Sequence, residues 1–242
     1  MRYHLIASGS KGNAFLLENG STKVLIDCGT TQRNIKNNLE RLDISIHDLD
    51  AILITHDHSD HIQAINLFKN HTVYAPKTLS IKTDLVMPYE SFEVGNFKII
   101  PIQTSHDTEI SVGYVIEDED HKLVYITDTG YVRNEDLNYL KKADLIVLES
   151  NHDPELLMKT NRPYHIKQRI LSDTGHLSND SCGTILSQIV SDKTQEILLA
   201  HLSDEANTEI LAEETVRRYL NGYQGSLRVG RQYEVISGAL KR

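Results

Sequence analysis

The segment Thr55-His56-Asp57-His58-Ser59-Asp60-His61 follows directly on the apolar run Ala51-Ile52-Leu53-Ile54. A short apolar run bounded by polar residues reads as a buried strand. The chain must therefore fold so that three histidines and a carboxylate gather at the end of a strand. Imidazole nitrogen and carboxylate oxygen are the ligands that zinc and similar ions take. An ordinary polar surface turn has no need of such density. The spacing predicts a metal site for two ions. His56 and His58, two residues apart on a tight turn, grip one ion, while Asp60 and His61 turn toward a neighbouring position.

The rest of the chain offers further ligands in a recurring way. Strand-like runs occur at 5–7, 14–17, 23–26, 51–54, 144–148 and 196–200, with a hairpin over 92–102 turned at Gly95-Asn96. A second hairpin pairs 111–116 with 122–126 across the acidic turn Glu117-Asp118-Glu119-Asp120. Helical spacing appears at Ile35, Leu39 and Leu42, over 180–190 and over 207–220. This pattern predicts α/β architecture, sheets flanked by helices, in one domain spanning 1–242. Several of these runs end in a metal-competent residue: Asp27, His56, His106, Asp128 and His201. Strand ends on one edge converge on a shared cleft. His106, Asp128 and His201 are thus the candidates to complete the site, and a carboxylate such as Asp128 can bridge two ions.

Composition narrows the partners. The net charge of -9 argues against a general nucleic-acid coat. Two divalent ions would still add about four positive charges at one spot. No run approaches the ~20 apolar residues of a membrane span. The first residues lack the apolar region of a signal peptide. The two cysteines, Cys28 and Cys182, form no disulfide framework and are expected buried and inert. A cytoplasmic location is expected.

Lys159, Arg162, Lys167 and Arg169, with Tyr164 and His165 between them, form a basic strip suited to a nucleic-acid backbone. The plainer alternative is a solvated helix face. Gly175-His176-Leu177-Ser178-Asn179 leads into the helix near Asp180. Free N–H groups at that helix start make Ser178 and Asn179 candidate phosphate contacts. The loop Ser8–Asn13 lacks the following helix of a nucleotide-binding fingerprint and reads as a hairpin turn. His4, His47, His71, His121 and His165 receive no metal role.

Taken in order, these residues resemble the metallo-β-lactamase superfamily. Its His-x-His-x-Asp-His motif is similar to His56, His58, Asp60 and His61, and its later single ligands to His106, Asp128 and His201. Asp27, in Leu25-Ile26-Asp27-Cys28-Gly29, matches the early Asp. The resemblance implies a four-layer αββα sandwich with two divalent ions (zinc, manganese or iron) at one edge. It implies that His56, His58 and His106 hold one ion, that Asp60, His61 and His201 hold the other, and that Asp128 bridges. Asp27 would orient a ligand histidine. The flavo-di-iron branch carries Glu where His58 stands, which weighs against redox chemistry. Ser8–Asn13, Glu149–Asp153, Gly175–Asn179 and His201-Leu202-Ser203 resemble signatures of the YycJ/WalJ group, related to RNase J and tRNase Z but without the inserted β-CASP domain.

That group implies a metal-dependent 5′ to 3′ exonuclease acting on DNA. Two ions ~3.5–4 Å apart acidify a shared water and steady an in-line displacement. Asp60 would orient or deprotonate that water. His176 is the first candidate to give the leaving oxygen its proton, and His152 the second. The competing readings are hydrolysis of a small thioester or lactone, an RNA-processing nuclease, and a non-catalytic metal-binding regulator. The oligomeric state is left open, a homodimer included.

Overall fold

The computed structural model describes residues 1–241. The chain opens with an antiparallel meander, β1 (Arg2–Ala7), β2 (Ala14–Asn19) and β3 (Thr22–Ile26), then continues in parallel through β4 (Ala51–Leu53), β5 (Val73–Ala75) and β6 (Asp84–Leu85). The second sheet repeats the scheme. An antiparallel part, β7 (Phe92–Val94), β8 (Phe97–Gln103), β9 (Val112–Glu117) and β10 (Lys122–Ile126), precedes a parallel part, β11 (Leu145–Glu149), β12 (Glu196–Ala200) and β13 (Ser226–Val229). Strand β14 (Ile236–Ala239) then returns to the first sheet beside β1. The orders are β14-β1-β2-β3-β4-β5-β6 and β13-β12-β11-β10-β9-β8-β7.

Parallel neighbours need long crossovers, usually helical. Here α1 (Gln32–Arg41) joins β3 to β4, and α2 (Ser59–Ile62) lies between β4 and β5. The short α3 (Leu137–Leu140) precedes β11. Three helices, α4 (Pro154–Lys159), α5 (Tyr164–Ile170) and α6 (Asn179–Ile189), separate β11 from β12, and α7 (Glu209–Arg217) leads to β13.

Alternation along the strands explains the layers, because successive side chains leave a strand on opposite faces. Phe15, Leu17, Val24 and Ile26 of the first sheet meet Tyr114, Tyr125, Leu145 and Val147 of the second in one core between the sheets. The intervening Leu16 and Leu25 face outward, where Ile35 and Leu39 of α1 cover them. On the other side Ile146 and Leu148 pack under Leu186 and Ile189 of α6 and Val216 of α7. Both faces of the central strands are thus buried, so they read as continuous apolar runs. The result is the αββα sandwich. Far from the strand ends that carry the site, the Tyr3 hydroxyl of the first sheet bonds with Glu196 and Arg228 of the second.

The basic stretch 159–169 departs from a single helical face. The stretch divides into α4, which ends at Lys159, and α5, which starts after Pro163, with residues 160–163 between them. The helix expected over 207–220 is narrower, 209–217, started by a Thr208 side chain that accepts from Leu211 N. Strands β5, β6, β13 and β14 carry no clear sequence signal. Each has four residues or fewer, too few for an alternation to register.

Candidate metal centre

Asp27 follows β3, His56 lies just beyond β4, Asp128 beyond β10 and His201 directly after β12, while Glu149 ends β11. Asp27, Asp128 and His201 all adopt left-handed backbone, with φ of 59°, 53° and 56°. A non-glycine residue there costs of order 1–3 kcal/mol and persists only where its surroundings enforce it. Three such turns, at the ends of β3 in the first sheet and of β10 and β12 in the second, place three side chains around one cleft.

His56, His61, His106, His176 and His201 share one design: Nδ1 is held by the scaffold, which leaves Nε2 on the other side of the ring. Asp27 Oδ2 lies 2.8 Å from His61 Nδ1, and Asp27 Oδ1 accepts from Thr55 N at 2.9 Å. The Thr55 hydroxyl, itself donating to Asp27, lies 3.0 Å from His56 Nδ1. His106 Nδ1 donates to the Gly175 carbonyl at 3.3 Å. His201 Nδ1 and His176 Nδ1 both reach Glu149 Oε1 at 2.7 Å. Such outer contacts fix tautomer and ring orientation.

The opposite ring atoms converge. His56, His58 and His106 meet edge to face, with ring centroids 4.7–5.1 Å apart. Ring nitrogens of this triad lie within 4.8 Å of one another, as do ligand atoms of Asp60, His61 and His201 and those of His56, His61 and Asp128. His201 Nε2 is 3.7 Å from Asp60 Oδ2, and His106 Nε2 is 3.7 Å from Asp128 Oδ1. His56 Nε2, His201 Nε2 and Asp128 Oδ2 are buried without a hydrogen-bond partner. Asp128 Oδ2 is close to His61 Nε2, at 3.0 Å, but the two are not aligned for a hydrogen bond. Leaving a buried polar atom unpaired costs ~1–3 kcal/mol. Unpaired imidazole nitrogens and a carboxylate oxygen buried in one cluster fit the binding of divalent cations.

The electrostatics agree. Burial, reinforced by the His61 charge, pushes His56 well below its usual range and keeps it neutral for ligation. Burial would raise Asp128, but His201 and His61 hold it well down. Burial opposes the charge on His61 too, yet Asp27 and Asp128 on either side lift it to about 10. Glu149 is pulled to about 2 against its burial by His176 and His201.

The pocket around these groups encloses about 200 Å³ and is rimmed by Ser10, Asp107, Arg162, Arg169, His176 and Ser203. Arg162 pairs with Glu205 at 2.8 Å, and Arg169 pairs with Asp107, which also lies 3.3 Å from His106 Nε2. Ile170 is the one large aliphatic side chain in the lining.

Several expected contacts lie elsewhere. Lys167 turns inward, and its ammonium donates to the Met158 and Thr160 carbonyls at 2.7 Å, satisfying the open end of α4. Lys159 projects to solvent near Glu155, away from the pocket. Ser178 caps α6 by accepting from Ser181 N, so that helix start already has its partner. Asn179 is fully buried against Ser150 and Asn207. His152 is buried, bridged to Ser178 through backbone, with both ring nitrogens unpartnered, and it does not line the cavity. Cys28 and Cys182 are buried.

Other residues of the site went unassigned in the sequence. Asn151 donates to the His201 carbonyl at 2.8 Å, and Asn13 Nδ2 lies 3.1 Å from His61 Nε2. Glu149 follows the pattern already noted, an apolar strand closing on a carboxylate, and that signal would have found it. Among the described residues no helix is long and apolar enough to cross a membrane.

Comparison with known proteins agrees with this geometry. The model of the β-lactamase superfamily domain matches residues 22–201. The chain is 34% identical to the exodeoxyribonuclease WalJ of Streptococcus pneumoniae, covering 97% of this chain and 93% of that protein. It is 32% identical to the exodeoxyribonuclease YycJ of Bacillus anthracis, covering 97% and 94%. Among solved structures it is similar to the metallo-β-lactamase fold protein YhfI of Bacillus subtilis, with a TM-score of 0.75, 19% identity, and coverage of 98% of this chain and 99% of that one. Ligand geometry, sandwich and sequence agree that the chain belongs to the metallo-β-lactamase superfamily, in the group of WalJ and YycJ.

Proposed function

We infer that this chain is a metal-dependent phosphodiesterase that degrades DNA from an end, an exodeoxyribonuclease. The observation that carries the reading is the convergence of seven ligand side chains beneath two arginines. His56, His58 and His106 would hold one ion, Asp60, His61 and His201 the other, and Asp128 would touch both. Two bound divalent ions, zinc, manganese or iron, supply Lewis acidity to a phosphate and acidify a water.

The protein's own groups do the rest. Asp60 lies on the pocket wall, and His201 and then His61 hold its carboxyl below the usual range against its burial. Ionised, it orients the attacking water and accepts its proton. His176 keeps Nδ1 on Glu149, which leaves Nε2 to hand a proton to the leaving oxygen. Arg162 and Arg169 bind the non-bridging oxygens by exchanging Glu205 and Asp107 for phosphate, a pairing that a guanidinium makes in two-pronged fashion. A thioester or lactone would find little apolar lining for its acyl part. We further propose attack from the 5′ end, a cytoplasmic location and one domain spanning 1–242.

Metal-loaded protein offered end-labelled duplex DNA, RNA, bis-p-nitrophenyl phosphate and a thioester panel tests this. Mononucleotides released progressively from the 5′ end of DNA are expected. Thioester turnover with inert DNA overturns the reading, and loss of RNA with intact DNA moves it to RNA processing.

A further inference from the structure

Beside the metal pocket lies a second groove of about 450 Å³. The two share a rim. Ser10 lines the pocket and Lys11 the groove; Asp60 of α2 lines the pocket, and Gln63, just past that helix, the groove. A strand whose end occupied the pocket and left it on this side would cross the rim within a few residues of Asp60.

The chemistry of the groove differs from that of the molecule. In a chain of net charge -9, none of the groove's lining residues is a carboxylic acid. Lys11 is committed to Asp204 at 2.6 Å. Arg33, Asn37 and Gln63 are exposed, and among the described residues their side chains make no ion pair or hydrogen bond. Tyr233 also lines the groove, with 68% of its surface open to solvent. That tyrosine sits on an anchored loop. The neighbouring Gln232 accepts from Lys11 N at 2.8 Å and donates to the Gly12 carbonyl at 2.8 Å. The ring is thus mounted on a loop, between β13 and β14, that is tied to the loop forming the rim. A free guanidinium, open amides and a fixed exposed ring are the elements of single-strand recognition: charge for the backbone, a flat face for a base.

We propose that the groove bounded by Lys11, Arg33, Asn37, Gln63 and Tyr233 is a nucleic-acid subsite, which takes the backbone and one base of the strand leading away from the metal pocket. The inference rests on the nucleic-acid reading above and extends it to a second surface, on the far side of the rim from the arginines. It gives the protein a grip on the strand beyond the nucleotide being removed. Arg33 neutralises a phosphate, and Tyr233 stacks on the adjoining base.

Steady-state cleavage of single strands from two to eight nucleotides long, by wild type, Tyr233→Ala and Arg33→Gln, tests this. Both positions are exposed, so folding is not at risk. The wild-type KM is expected to fall as the strand lengthens enough to reach the groove. Tyr233→Ala should raise KM for the eight-nucleotide strand roughly 5- to 150-fold, the loss of one stacked base, and remove most of the length dependence. Arg33→Gln should lower the slope of log KM against log salt by about 0.7, one single-strand phosphate contact. Length dependence and salt slope equal to wild type in both variants overturn the subsite and leave the nuclease reading intact. Wild-type protein that hydrolyses bis-p-nitrophenyl phosphate but no strand of any length overturns the nuclease reading, and the subsite with it.

Discussion

Glu149 accepts from Nδ1 of both His176 and His201, and from the backbone N–H of Thr129 and Leu177, while fully buried. One carboxylate thereby sets the tautomer of His201, a proposed metal ligand, and of His176, the proposed proton donor. Glu149→Gln keeps the volume but replaces one acceptor oxygen by a donor. It is expected to weaken metal binding about 10- to 100-fold, as loss of such outer contacts typically does, and to lower kcat together with it. Competition with a chelator and steady-state kinetics check both effects; unchanged affinity and kcat would remove Glu149 from the site. His152 carries a different consequence. Burial drives its imidazole down to about 4, so between that value and its ordinary 6.5 the unfolded chain binds a proton that the folded one refuses. Stability is therefore retained above about pH 6.5 and lost as pH falls toward 4, by at most about 3 kcal/mol. His152→Gln should flatten that part of the curve in denaturant titrations run at several pH values; identical acid slopes contradict it. The sequence displayed the ligand types and their order, because imidazoles and carboxylates are rare at the ends of apolar runs. It did not display the left-handed turns at Asp27, Asp128 and His201, or the fact that His152 does not line the cavity. Those depend on backbone dihedrals that residue identity leaves open.

The paired helices α4 and α5 show how one basic stretch divides by role. Lys167 faces inward and closes the end of α4, whereas Arg162 and Arg169 reach the pocket. A basic strip read from sequence does not separate these cases: Lys167 and Arg169 share α5, and two residues along a helix turn a side chain through about 200°, to the opposite side. Lys167→Met removes both donors from the Met158 and Thr160 carbonyls and is expected to cost ~1–3 kcal/mol of stability. Arg169→Ala, on an exposed side chain, is expected to leave the melting temperature within a degree or two and to raise KM for DNA severalfold. Thermal unfolding and kinetics on the two variants check the division; the reverse pattern would place the lysine in the substrate path. The central strands were legible because burial on both faces leaves an apolar run. The edge strands were not, because β6 spans only two exposed residues.

Across the whole molecule, two sheets share one core, and the edge where their strand ends meet holds the ligands. Net charge and local charge have opposite jobs. The chain as a whole is acidic at -9 and repels a polyanion, while the ligand cleft concentrates carboxylates and imidazoles for cations that reverse the sign at one place. Cation binding must displace the proton that Asp27 and Asp128 hold on His61, so metal affinity should rise with pH and proton release should accompany loading. Calorimetric titration in buffers of different ionisation enthalpy reads that release directly; buffer-independent heats would contradict it. The measurement that bears most directly on the whole reading is recovery of DNA-end hydrolysis as a divalent ion is titrated into chelator-stripped protein. Activity is expected to be absent at first, to rise with added metal and to level off at two ions per chain. Full activity in the stripped protein, or two tightly bound ions with no phosphodiester cleavage, would contradict it.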